Sequence, residues 1–199
     1  MNDHNGADSA SEARRWVRLA WMAEAVLVLF ALGLAWLVGA GPAEMLSWHT
    51  RDAALGALAS LPLLALMLVM IRWPVGPARA LKQLVVEGII PLFRHATLAE
   101  LALVSLLAGV GEELLFRGLL QQWLEGLLGR WWALGLASLV FGLCHWVSNA
   151  YAALAAAIGA YLGWLFVATG SLLAPVVTHA LYDFVALVYL TRIHGEDRG

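Results

Sequence analysis

The sequence predicts an all-α, polytopic membrane helical bundle of about six transmembrane helices plus an interfacial amphipathic helix. Three observations predict it. The 199-residue chain is 62% hydrophobic and only 13% charged, whereas soluble domains carry about 25% charged residues. Its apolar residues fall into runs of about 20, the length that crosses a bilayer, separated by short polar or glycine-containing stretches. Its ten tryptophans suit a membrane protein, where Trp gathers at the interfaces. The net charge of −2 is too small to suggest a nucleic-acid partner. The single cysteine, Cys144, excludes an internal disulfide and a cysteine-based zinc site. Its apolar surroundings predict a small packing residue.

Residues 1–15 are polar and mixed in charge and read as a disordered cytoplasmic tail. One transmembrane domain is expected over residues 16–192, its motif-bearing core over 98–190, and a second cytoplasmic tail over 193–199. The first span is expected at 17–38, ended by Gly39, Gly41 and Pro42. It is too long for the core of a cleavable signal peptide. The second is expected at 53–71, with Pro62 as a candidate kink. Residues 80–93 place Leu81, Leu84, Val85 and Ile89 at helical spacing, with Lys82, Gln83 and Glu87 on the other side. This is either an amphipathic helix in the interface or a connecting helix packed on the bundle.

The third helical pattern covers 98–128. At 1.5 Å per residue it would be about 45 Å long, so it must tilt, protrude, or bend near Gly109 and Gly111. The fourth span follows Gly129 and Arg130, with Trp131 and Trp132 as interfacial anchors, and runs to about Trp146. The fifth, 151–168, carries Ala155, Gly159 and Gly163 at four-residue spacing, which lets helices approach closely or is simple apolar filler. Ser171 is a candidate cap for the sixth, 172–190, which tolerates Pro175 in its first turns. With six spans, the basic residues before span one, between spans two and three and at the C-terminus fall on one side. The positive-inside rule makes that side cytoplasmic, so both termini are expected in the cytosol.

Three spans carry groups that lipid does not tolerate. Glu112, Glu113 and Arg117 lie in the third, His145 in the fourth, and His179 and Asp183 in the sixth. A structural i, i+4 ion pair accounts for Glu113 and Arg117 but not for Glu112, which points about 100° away. These groups satisfy one another best by converging on one polar cavity. A buried Glu can take a proton from water, and imidazoles can orient that water, bind a metal or stabilise an oxyanion. Two His and a carboxylate, here His145, His179 and Asp183, could also hold catalytic zinc, a divalent-metal cofactor. Such a set suits hydrolysis of a carbonyl bond within the membrane. Ser148, three residues after His145, reads as helix-end polarity.

The three motifs Glu112-Glu113-xxx-Arg117 (with Phe116-Arg117-Gly118), Phe141-xxx-His145 and His179-xxx-Asp183 lie in this order on separate spans. In order and spacing this resembles the CAAX protease and bacteriocin-processing family of intramembrane endopeptidases, including the type II CAAX prenyl endopeptidases. The likeness covers about half of the chain, residues 98–190. It implies a helical bundle in the cell (inner) membrane with a conical cavity opening to the cytosol. The substrate would be a membrane-embedded peptide or protein. It implies that Glu112 activates water with His145 beside it, and that His179 and residue 183 help stabilise the oxyanion. Arg117 and Glu113 would support the site, and Phe141 would form its wall. Eukaryotic members usually have Asn where this chain has Asp183, and an ionised carboxylate would repel an oxyanion. Asp183 is therefore protonated, orients His179, or serves a metal. Two other classes remain: a non-catalytic bacteriocin-immunity or scaffold protein, and an ion-coupled carrier, which would call for inverted repeats.

Overall fold

Helices make up all the regular structure among the described residues of this computed structural model, which are 3–41, 46 and 48–193. In chain order they are α1 (Asp3–Leu37), α2 (Thr50–Arg72), α3 (77–93), α4 (98–128), α5 (Arg130–Cys144), α6 (Asn149–Thr169) and α7 (173–193). Among the described residues, four stretches are long and apolar enough to cross a membrane: Glu12–Leu37, Thr50–Arg72, Asn149–Thr169 and Leu173–Arg192. The other two expected spans are α4, which is interrupted and carries charges, and α5, which is short. The fold is that of a membrane-embedded all-α bundle.

Several expectations need correction. Helical backbone begins at Asp3 rather than after a disordered tail at 1–15. The Ala-, Ser-, Glu- and Arg-containing stretch has adequate helix propensity to continue the turn set by the span behind it. Residues 1–2 and 194–199 of the two expected tails lie outside the described residues. Cys144 is exposed at the end of α5 rather than packed. No bend at Gly109 or Gly111 is needed to account for those glycines. A Cβ at Gly109 would meet the Ala180 Cβ at 2.9 Å, and one at Gly111 would meet the Val28 Cγ2 at 3.1 Å. They are points of close approach to α7 and α1. The helix changes form further on, where Leu114–Gln121 is π-helical.

Local signals fix the other ends. Thr97 and Glu100 form a capping box at the start of α4, with the Glu100 Oε2 accepting from the Thr97 N–H at 2.7 Å. Gly129, at φ 82°, reverses the chain between α4 and α5 within one residue. Ser148 caps α6 by accepting the Tyr151 N–H at 3.2 Å. The Ser171 hydroxyl accepts the Leu173 N–H at the start of α7. Pro62 sits inside α2 without ending it.

Helix α7 packs against α2, α4 and α6, α1 lies along α4, and α5 packs on α6. Small residues set these spacings. Gly142 of α5 faces Ala152 and Ala156 of α6, and Gly56 of α2 faces Ala174 and Val177 of α7. Thr178 of α7 donates to the Gly56 carbonyl at 2.9 Å, and Tyr161 of α6 donates to the Ala59 carbonyl at 2.9 Å. At one end of the bundle Val17, Ala96 and Leu101 form a small core with Phe93, Leu187 and Val188 around it. Arg192 closes that end by donating to the carbonyls of Arg94 and Ala96. Val17 of α1, the turn before α4 and the end of α7 therefore lie together at an end that carries Arg94 and Arg192.

Helix α3 starts at Pro77, earlier than expected, and includes a π-helical turn at Val85–Ile89. Leu81, Val85, Ile89 and Phe93 line an internal cavity, so its apolar face is turned into the bundle.

The α5–α6 seam gives a direct test of this packing. A Cβ at Gly142 would lie 2.6 Å from the Ala152 carbonyl oxygen, while one at Gly135 meets nothing within 4 Å. Gly142→Ala is expected to destabilise the protein by about 1–3 kcal/mol through overpacking. Gly135→Ala should be neutral or slightly stabilising. Thermal melts in detergent check both.

Candidate active site

The motif residues of α4, α5 and α7 converge. Glu113 and Arg117 are both buried, and the Arg117 Nη1 donates to the Glu113 Oε1 at 2.7 Å. The same oxygen lies 2.8 Å from the His179 Nδ1. One carboxylate oxygen thus ties α4 to α7. The second Arg117 nitrogen, Nη2, donates to the Gly159 carbonyl of α6 at 2.8 Å. One turn on, the Gln121 Nε2 donates to the Gly163 carbonyl at 3.3 Å. The two glycines make this possible. A Cβ at 159 would sit 3.3 Å from the Arg117 Nη2, and one at 163 would sit 2.7 Å from the Gln121 Oε1. The four-residue spacing of small residues in α6 is a functional approach surface rather than filler. The π-helical stretch carries both Arg117 and Gln121 and so sets where they cross to α6.

Glu112 turns away from this pair, as the helical angle predicted. It is only 9% exposed, and its Oε2 has no hydrogen-bond partner among the described residues. That oxygen lies 3.6 Å from the His145 Nε2 and 4.0 Å from the His179 Nε2. The His145 Nδ1 is bonded to the Phe141 carbonyl at 2.8 Å, so the Nε2 is the free nitrogen. The Phe141 ring stacks on His145 with centroids 4.5 Å apart, and the Arg117 Cζ lies 4.6 Å from its centre. Asp183 completes the group, its Oδ2 being 3.5 Å from the His179 Nε2.

The depths of Glu112 and His145 agree once both are counted from the turn they share. Glu112 is 17 residues before Gly129 and His145 is 16 after it. Helix α5 ends at Cys144, so His145 sits at the level of Glu112 and short of the basic end.

Two cavities meet at this group. A cavity of about 130 Å³ is lined by Glu112, Phe141, His145, Tyr151, His179 and Asp183 among others. A larger one, about 390 Å³, shares Glu112, Tyr151, Tyr182 and Asp183 with it. It continues between α2, α3 and α7 to Lys82, Phe93 and Leu190 near the basic end. Most of its wall is aliphatic.

Among the described residues, no three His, Cys, Asp or Glu side chains are arranged to hold a metal ion. Each imidazole commits its Nδ1, to the Phe141 carbonyl and to Glu113, which leaves the Nε2 of His145 facing Glu112 and that of His179 facing Glu112 and Asp183.

Four polar lining or supporting residues were not expected: Glu24 of α1, Gln121 of α4, Tyr151 of α6 and Tyr182 of α7. Glu24 carried a readable signal, being the one ionisable group between Arg18 and Val38 in an apolar run. Gln121 lies one turn after Arg117, on the same side of α4. Tyr182 had no distinguishing signal in an aromatic-rich membrane chain.

No curated protein and no solved structure gives a significant match to the chain. A family model does match: that of type II CAAX prenyl endopeptidase Rce1-like proteins, over residues 94–185. The matched segment begins just before α4 and ends two residues after Asp183, so it contains all three motifs. Over this segment, a little under half of the 199-residue chain, the sequence is similar to type II CAAX prenyl endopeptidase Rce1-like proteins.

Proposed function

We propose that the chain is an intramembrane endopeptidase that cleaves a membrane-associated peptide with Glu112 as general base. The observation that carries the proposal is the Glu112 Oε2, buried and without a hydrogen-bond partner among the described residues, held 3.6 Å and 4.0 Å from two imidazole nitrogens. Polar groups at such separations are readily bridged by one water. That water would give a proton to Glu112 while its oxygen attacks the scissile carbonyl carbon. The new C–O bond makes a tetrahedral oxyanion. Its collapse breaks the C–N bond, and Glu112 passes the proton to the departing amine. A carboxylic acid and an amine result, which ionise to a carboxylate and an ammonium, and no other reactant is needed.

The histidines differ in role. His145, fixed through its Nδ1 and stacked on Phe141, orients the water from one side. His179 gives its Nδ1–H to Glu113, so its Nε2 can donate to an oxyanion only as imidazolium. Asp183, 3.5 Å from that nitrogen, supplies the counter-charge to that form. Asp183 in this reading orients and balances His179 and does not touch the oxyanion. Glu113 and Arg117 are positioning residues. The matched family's description names a prenylated CAAX sequence, so a farnesylated CAAX peptide is the first substrate to offer. The basic end of the bundle faces the cytosol, and the larger cavity leads the substrate in from there.

Glu112→Gln is expected to lower kcat/KM for such a peptide by roughly 10²–10⁴-fold with an unchanged melting temperature. Undiminished cleavage would remove Glu112 as the base. Arg117→Met strands a buried carboxylate and should destabilise the fold by about 3–5 kcal/mol in denaturation experiments. Adding Glu113→Gln should recover part of that loss. Orientation is read from single cysteines introduced in a Cys144→Ala background. Gln83→Cys should react with a membrane-impermeant thiol reagent only from the cytosolic face, and Trp131→Cys only from the opposite one.

A further inference from the structure

Glu24 lies in an apolar helix, is not part of the three motifs, and faces the larger cavity. Its Oε2 is shielded and has no hydrogen-bond partner among the described residues. It lies within electrostatic reach of Asp183 and His179 and of Glu112. The inner end of this cavity thus carries three carboxylates, those of Glu24, Glu112 and Asp183. Of the nearby cationic groups, Arg117 is committed to Glu113 and to the Gly159 carbonyl, and the imidazolium of His179 is balanced by Asp183, which leaves Glu24 without a paired cation among the described residues. Lys82, the cation in the cavity wall, bonds the Ile71 carbonyl toward the basic end.

The two cavities differ in a way that assigns Glu24 a place. Glu112, Tyr151, Tyr182 and Asp183 line both, whereas Glu24 lines the larger one and not the pocket that holds His145 and His179. Glu24 is therefore beside the reacting groups rather than among them. The wall between it and the cavity mouth is aliphatic, including Leu63, Met67, Val104 and Ala108. A side chain suited to this path has a hydrocarbon stem and a positive tip.

We propose that Glu24 forms a specificity subsite that takes a lysine or arginine side chain from a substrate residue next to the scissile bond. The proposal rests on the peptidase reading above and names the charge its substrate carries. The stem lies along the aliphatic wall, and the cation pairs with the Glu24 carboxylate away from bulk water. A charge-assisted bond of this kind separates a cationic side chain from a neutral isostere by about tenfold or more. An acidic residue at that position is disfavoured by the carboxylates of Glu24 and Glu112.

The test uses farnesylated peptides carrying Lys, norleucine or Glu at each position in turn within four residues of the prenylated cysteine. The full-length protein is assayed in lipid nanodiscs. At one position the Lys peptide should be cleaved at least about tenfold faster than its norleucine counterpart, in kcat/KM, and the Glu peptide slowest. Glu24→Gln should bring the Lys and norleucine rates together, and Glu24→Asp should keep the preference. Equal rates for the wild type at every position, or a preference that survives Glu24→Gln, would overturn the assignment. Binding of the same peptides to Glu112→Gln protein separates this proposal from the peptidase reading. Tighter binding of a Lys peptide that depends on Glu24 upholds the subsite even if no peptide is cleaved. Binding that ignores the charge removes the subsite even if cleavage occurs.

Discussion

The arrangement depends on one carboxylate oxygen, the Oε1 of Glu113, which is shared by Arg117 and His179. Two ionisable groups within a membrane bundle are costly unless their hydrogen bonds are met. Here the arginine reaches further to a helix carbonyl, and the histidine brings in a third helix. The α4, α6 and α7 helices are thereby held in a single register about a charged centre. Glu112 is the neighbour of this centre in sequence but not in direction. Its freedom from the ion pair follows from the helical angle between adjacent residues. A paired carboxylate next to an unpaired one lets a single helix turn hold neighbouring helices and present a second acid to the cavity.

The structure also explains why small residues recur where they do. Arg117 and Gln121 are one turn apart on α4, and Gly159 and Gly163 are one turn apart on α6. Each long side chain meets a helix-interior carbonyl that a Cβ would crowd. The carbonyls are exposed to these donors because glycine leaves the flank of α6 bare. Close helix packing and satisfaction of buried donors are the same event at this seam.

Much of this was legible in the sequence. The limits of α4, the reversal at Gly129 and the facing of His179 and Asp183 follow from periodicity, glycine and four-residue spacing. The meeting of Glu112, His145 and His179 was readable because lipid leaves such groups nowhere else to go. Other features were hidden for physical reasons. The π-helical stretch 114–121 has no propensity signature, since its sequence is that of an ordinary apolar helix with one arginine. The level of His145 is obscured when α4 is measured from Leu98, because α5 is shorter than the helix it answers. Glu24 was overlooked for want of a partner in its own helix, although an isolated carboxylate in such a run is itself informative.

The brevity of α5 has a consequence for the bilayer. Arg130–Cys144 rises about 22 Å, well short of the ~30 Å of hydrocarbon that a full span crosses. A span this short is met by bilayer thinning, by flanking side chains or by helix association. Thinning would bring the headgroup layer toward the turn at residues 145–148 and water to His145 from the side, apart from the larger cavity. In the proposed peptidase a stunted helix would thereby admit the second reactant.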